Sequence, residues 1–249
     1  VGSEMCIRDR LKSHHATAEK RYYPLAQEVI TGTYVGDYDY VLDLLDRCYF
    51  PTREGVANFH DNFVDALILA GEEKIAEGKV EQAVTLYKKA FTYPENHQVF
   101  LVDERATHDA QINYCLGEAY AALGQDAEAE KYWKLAAEQD YELKGSKDFR
   151  YWTGLALERL GRKAEAEAIF SALVADGEAA VVTQHVNFYG AEGTTGVTVD
   201  IINSAAYYTQ ALGHLGLGHR GKAKRLFAEV QRLKPDHLWA NEFMKQFEK

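Results

Sequence analysis

One stretch of this chain, AQINYCLGEAYAALGQDAEAEKYWKLAAEQDY from Ala110 to Tyr141, limits the possible folds more than any other. It reads as two short helices joined by a tight turn at Gly124. Leu116, Gly117 and Tyr120 share one face of the first helix. Ala129, Trp133 and Ala136 line the inner face of the second. Gly117 and Ala129 lack bulk, so the two helix backbones can approach closely, and Tyr120 and Trp133 fill the wedge on either side. A single helix pair of this kind cannot bury its own apolar face, so the rest of the chain must supply neighbours.

The same pattern recurs. Val64 to His97 carries Ala70 and Gly71, then Gly78 at the turn, then Ala83, Tyr87, Ala90 and Pro94. Lys147 to Ala180 carries Gly154, Leu157, Gly161, Ala166, Phe170 and Leu173. Ser204 to His237 carries Ala211, His214, Gly218, Ala223, Phe227 and Pro235. A weaker copy begins near Tyr22, with Gly36 at its turn and Val41, Leu45 and Cys48 on its second helix. This resembles the tetratricopeptide repeat (TPR), a helix–turn–helix unit of about 34 residues. The resemblance implies an all-α fold, a right-handed α-solenoid of about five TPR-like helix pairs plus a C-terminal capping helix. Repeats are expected near 22–55, 64–97, 110–143, 147–180 and 204–237. The cap is expected over 238–249, where Leu238, Trp239, Phe243, Met244 and Phe247 fall at helical spacing. Residues 11–249 then form a single solenoid domain. Residues 1–10, VGSEMCIRDR, have neither apolar periodicity nor a signal-peptide core and read as a non-native leader, so the native start of the chain is expected to be missing.

Composition narrows the function classes. The net charge is −10 over 249 residues. That argues against a nucleic-acid surface or an anionic membrane surface, which call for clustered Lys and Arg. There is no apolar run long enough to span a membrane. Three cysteines are too few for a disulfide framework in a chain of this length. Cys48 and Cys115 sit at apolar helical positions and read as buried free thiols. A cytoplasmic location is the expectation.

No set of residues announces chemistry. His14 and His15 are adjacent, so a helix points them apart. His214 and His219 are five apart, off the i, i+4 spacing that places two metal ligands on one face. Each histidine therefore reads as isolated. Acidic residues such as Asp126, Glu128 and Glu130 sit near helix starts, where solvation and the helix dipole account for them. GAEGTTG, Gly190 to Gly196, lacks the Lys of a phosphate-binding loop. Ser171 and Ser204 lack a nucleophile-elbow context. No catalytic residue, metal ligand or cofactor is assigned.

The repeat starts step by 42, 46, 37 and 57 residues, each more than one unit. The surplus falls between helix pairs, which places the inserted material along one rim, where loops also tolerate insertion at little cost. The longest insertion holds Val186, Phe188, Tyr189 and Val197, and Phe188 and Tyr189 are candidate rim contacts. The fifth residue of a repeat faces the concave groove. Here these are Ile68, Tyr114, Tyr151 and Tyr208, with Trp152 beside the third and Glu118 one turn beyond Tyr114. Tyrosines in register would make a ladder able to grip a peptide or stack on a sugar. Alternatively each packs sideways as core. The groove positions Asp65, Glu72, Gln111, Glu118 and Asp148 would repel a carboxylate-terminated peptide, so a chaperone tail of the carboxylate-clamp kind is not the expected partner.

Longer phrases carry a second resemblance. CYFPTREG, AEGKVEQAVTLYKKAFTYPEN, YCLGEAYAALG and AYYTQALGHLGLGHRGKAKRLFAEVQRLKPDH are similar to the C-terminal repeats of a bacterial family that joins an N-terminal β-rich domain of unknown function to a TPR tail. YPEN, Tyr93 to Asn96, and GLGHRGKA are the nearest phrases. The resemblance covers 11–249 and implies the tail of a larger, carbohydrate-related protein. It supplies no catalytic residues, the β-rich domain is absent, and CYFPTREG lacks a Trp. The expected function is a non-catalytic scaffold that binds a protein or peptide, or an adjacent domain of its own chain, through the Tyr-lined groove and the rim loops. The alternative is the helical part of a carbohydrate-active protein that contributes to sugar binding.

Overall fold

The computed structural model describes residues 2–51, 59–97, 108–139, 147–183 and 196–248. Among them lie thirteen α-helices and one 3-10 turn, with a single isolated β-bridge between Phe50 and His97. In chain order the helices are α1 (Gly2–Ser13), α2 (His15–Ala18), α3 (Tyr22–Tyr34), α4 (Tyr38–Arg47), α5 (His60–Ala76), α6 (Val80–Lys89), α7 (Asp109–Ala122), α8 (Asp126–Ala137), α9 (Arg150–Arg159), α10 (Lys163–Ala180), α11 (Gly196–Gly216), α12 (Arg220–Leu233) and α13 (Leu238–Lys245). The 3-10 turn Lys147–Phe149 leads into α9. The fold is all-α and built from TPR-like helix pairs.

Five turns set the register. Gly36, Gly78, Gly124, Gly161 and Gly218 all have φ between 70° and 76°. Each ends the first helix of a pair in the left-handed conformation that glycine adopts without steric cost. The hydrogen bonds repeat as well. Gly161 N–H donates to Glu158 O at 3.0 Å and Arg162 N–H to Leu157 O at 2.8 Å. Gly78 with Lys79 and Gly218 with His219 make the same two bonds. These five glycines stand 42, 46, 37 and 57 residues apart, the same uneven steps as the repeat starts.

A small residue on the first helix faces a large ring on the second. A Cβ on Gly71 would lie 2.2 Å from the Tyr87 ring, and one on Gly154 would lie 2.4 Å from the Phe170 ring. Both are closer than atoms pack. The first pair solves the same problem differently. It carries Val29 and Val41 where later pairs carry Gly or Ala, and Gly32, one turn on, makes the space. A Cβ there would meet Val41 at 2.5 Å.

The chain divides into two compact units, Val1–Tyr132 and Trp133–Lys249. In the first, Leu25, Val29, Leu44, Leu45, Phe63, Leu67, Ile68 and Leu116 are buried. Here the phrases CYF and YPENH meet. Phe50 N–H donates to Asn96 O at 2.8 Å, and Asn96 Nδ2 donates to Leu45 O at 2.9 Å and Cys48 O at 2.6 Å. Asn96 thereby satisfies carbonyls at the C-terminus of α4 that the helix leaves open. Phe50 stacks on Phe59 with centroids 4.3 Å apart and meets His97 edge-on.

In the second unit one core joins Tyr151, Leu157, Phe170, Leu173, Tyr208, Ala211, Phe227 and Val230. Phe170 lies between α9 and α11, since Gly216 also leaves room for its ring (a Cβ would come within 2.3 Å). Helices α10 and α11 touch backbone to backbone. A Cβ on Gly177 would meet Ala206 O at 2.6 Å, and one on Gly213 would meet Phe170 O at 2.6 Å.

Candidate functional site

The ladder residues fall in different places. Ile68 is fully buried in the core of the first unit. Tyr114 and Glu118 are half-buried on α7 of the same unit, and Gln111, one turn before, is buried. Tyr151 and Trp152 on α9 and Tyr208 on α11 belong to the second unit. Phe188 and Tyr189 lie outside the described residues.

Tyr151, Trp152 and Tyr208 converge on α13. Phe243 sits among them: its ring centroid is 5.8 Å from Tyr151, 6.2 Å from Trp152, 6.4 Å from Tyr208 and 5.3 Å from Phe227, which it stacks. Trp239 meets Trp152 edge-on at 6.3 Å. Phe247, just past the helix, lies 6.4 Å from Phe227 and under the Arg220 guanidinium, 4.9 Å from the ring. Edge and offset geometries at these spacings are the favourable ones for aromatic rings. Tyr151 and Tyr208 are only 5% and 8% exposed beneath this cover.

α13 forms where it does for local reasons. Pro235 and the residues around it end α12. His237 then caps the new helix, its Nδ1 accepting from Ala240 N–H at 3.2 Å. The His237 ring packs on Tyr208 with centroids 4.4 Å apart. Burial pulls its pKa down to about 4, with Lys234 adding to the shift, so the ring is neutral and able to accept. Gln231 Nε2 donates to Asn241 Oδ1 at 2.8 Å, and Arg220 Nη2 to Gln246 O at 3.3 Å.

Two groupings depart from the reading of each histidine as isolated. His15 Nδ1 lies 2.9 Å from Glu28 Oε2, and its Nε2 lies 3.1 Å from Glu19 Oε2. Tyr40 also donates to Glu28, a carboxylate with no exposed surface. Each Glu28 carboxylate oxygen thus has a partner, and the group ties α2 and α4 to α3. His214 and His219 do meet, Nδ1 to Nδ1 at 3.3 Å. The left-handed turn at Gly218 doubles the chain back and brings His219 N–H to His214 O at 2.8 Å, so the straight-helix spacing rule does not apply. Among the described residues no three His, Cys, Asp or Glu gather as metal ligands.

No protein-family model matches the chain. No curated protein matches it. One solved structure that it resembles is that of YrrB, described as "a TPR protein with an unusual peptide-binding site". The two share 16% identity, the alignment covers 94% of this chain and 97% of that one, and the TM-score is 0.33. Among the described residues no helix is long and apolar enough to cross a membrane.

The sequence reading missed the occupant of the aromatic face. Trp239, Phe243 and Phe247 recur every four residues, a signal for an apolar helix face that sequence alone could not seat on Tyr151 rather than on α12 only.

Proposed function

We propose that this chain is a non-catalytic TPR-like scaffold that binds a protein or peptide, or an adjacent domain of a longer chain. The binding face is lined by Tyr151, Trp152 and Tyr208, with Tyr114 and Glu118 as candidate contacts in the first unit and Phe188 and Tyr189 as candidate rim contacts. One observation carries the reading: the Tyr151–Trp152–Tyr208 face already accepts an amphipathic helix, α13, ring on ring. That is the helix-in-groove mode of recognition, in which side chains at i and i+4 anchor in an apolar trough. The partners of these rings are aromatic side chains at edge and tilted angles. This favours a peptide over a sugar, which needs open ring faces to stack upon.

Display of random 13-residue peptides against the immobilised chain tests the reading. Enriched peptides should carry aromatic residues four apart, and Trp152→Ala should remove the enrichment. Trp152 is half-buried, so its loss spares the core more than a change at Tyr151. No enriched peptide, or enrichment indifferent to Trp152→Ala, would count against this face.

A further inference from the structure

We propose that α13 is a displaceable occupant of this face, and that the partner which displaces it is an amphipathic helix with aromatic side chains at i, i+4 and i+8, as in Trp239, Phe243 and Phe247. The inference rests on the scaffold reading above and names the partner for that same face.

The two sides of the contact are unequal. On the receiving side Tyr151, Tyr208 and Phe227 are buried and Trp152 is half-buried. On α13 only Ala240 is buried, while Trp239, Phe243 and Met244, and Phe247 just past the helix, are half-buried. A helix laid in an open trough looks like this; one built into a core does not. α13 is eight residues long. Helices shorter than about 12–15 residues do not hold together alone in water, so α13 is helical only while seated. Gln231 of α12 ties to Asn241, and Arg220 to the Gln246 carbonyl, both at the half-buried or exposed margin of the contact.

The tether explains why such a short helix stays in place. Residues Lys234 to His237 join it to α12. A short link holds a segment at a local concentration on the order of millimolar, so even weak contacts keep the face filled. An incoming helix must compete with that concentration. Its apparent affinity is its intrinsic affinity reduced by the fraction of molecules with α13 unseated. The face is therefore reserved for helices that match the aromatic spacing well enough to win.

The experiment uses the full chain and a fluorescein-labelled peptide of its own residues 236–248 as probe. Phe243→Ala removes the ring that fills the trough and leaves Tyr151, Trp152 and Tyr208 intact. The labelled peptide should bind the Phe243→Ala chain at least tenfold more tightly than the unaltered chain, and adding Trp152→Ala should abolish the gain. In the unaltered chain the amides of α13 should exchange with deuterium at least a hundredfold faster than those of Ala206 to Leu212 in α11. Equal binding to both chains, or α13 exchange as slow as α11, overturns the displacement but leaves the binding face standing. Binding to neither, with α13 shown open in the variant by exchange, overturns the face itself. If circular dichroism shows Phe243→Ala unfolded, Trp239→Ser serves in its place, since Phe243 then still rests on Phe227.

Discussion

Phe170 shows how a single ring can specify two contacts. Its edge occupies the hollow left by Gly154 on one neighbouring helix and by Gly216 on another. Gly154→Ala should therefore cost about 1–3 kcal/mol through overpacking. Gly161→Ala should cost about 1–2 kcal/mol for a different reason, since its surroundings are open and only the positive φ is strained. Urea unfolding separates the two causes. In a Phe170→Leu background the penalty of Gly154→Ala should shrink and that of Gly161→Ala should not. Both glycines were visible in the sequence, because a small residue, a turn glycine and a large ring recur at fixed offsets. Gly32 was not. Its role depends on Val41 standing where later repeats carry Ala, and a displaced compensation of that kind has no periodic signature. The aromatic face was half legible. Tyr151, Trp152 and Tyr208 could be picked by register, but what covers them depends on how the chain turns after Pro235.

At the scale of elements, two junctions decide how the helices are held. Asn96 bridges the end of α4 to the segment after α6 through the carbonyls of Leu45 and Cys48. Asn96→Ala removes the Asn96 donor from Cys48 O, while Leu45 O keeps His97 Nε2 at 2.8 Å, and should lower stability by about 1–3 kcal/mol, read from the midpoint of chemical unfolding. The junction before α13 responds to acid. Burial holds His237 down to about 4 from an ordinary value of 6.5, so the fold favours the neutral ring. Its contribution is complete above pH 6.5 and is lost as pH falls from 6.5 toward 4. Protonation would also remove the acceptor that caps Ala240 N–H. The groups around the ring are Tyr208 on α11, Lys234 at the end of α12 and Asp236 beside it. Buried His97 is lowered in the same direction and adds to the acid loss in the first unit. Thermal unfolding between pH 7 and pH 4 should show a falling Tm. His237→Asn, which keeps a capping oxygen without titrating, should reduce the slope and leave the His97 share.

At the scale of the whole molecule, one core in the second unit is shared by every helix from α9 to α13. A chain ended after Thr183 would keep α9 and α10 but strip the cover from Phe170 and Leu173, both with no exposed surface in the intact fold. Hydrogen exchange should find α9 and α10 unprotected in that truncated chain. Retained protection would show that one helix pair suffices. The acidic balance of the chain, −10, belongs to this scale too. It sets a preference for partners that are not strongly acidic, and binding to an acidic helix should weaken as salt is lowered.

The backbone contact of α10 with α11, with Gly177 against Ala206 and Gly213 against Phe170, has a consequence for inheritance. The pattern that repeats in the letters is one helix pair, but the lock and its key are split between two. Duplicating, deleting or transplanting one pair would separate a glycine from the ring or carbonyl it makes room for. Adjacent pairs in this half of the chain must therefore change together, and their family likeness does not make them interchangeable parts.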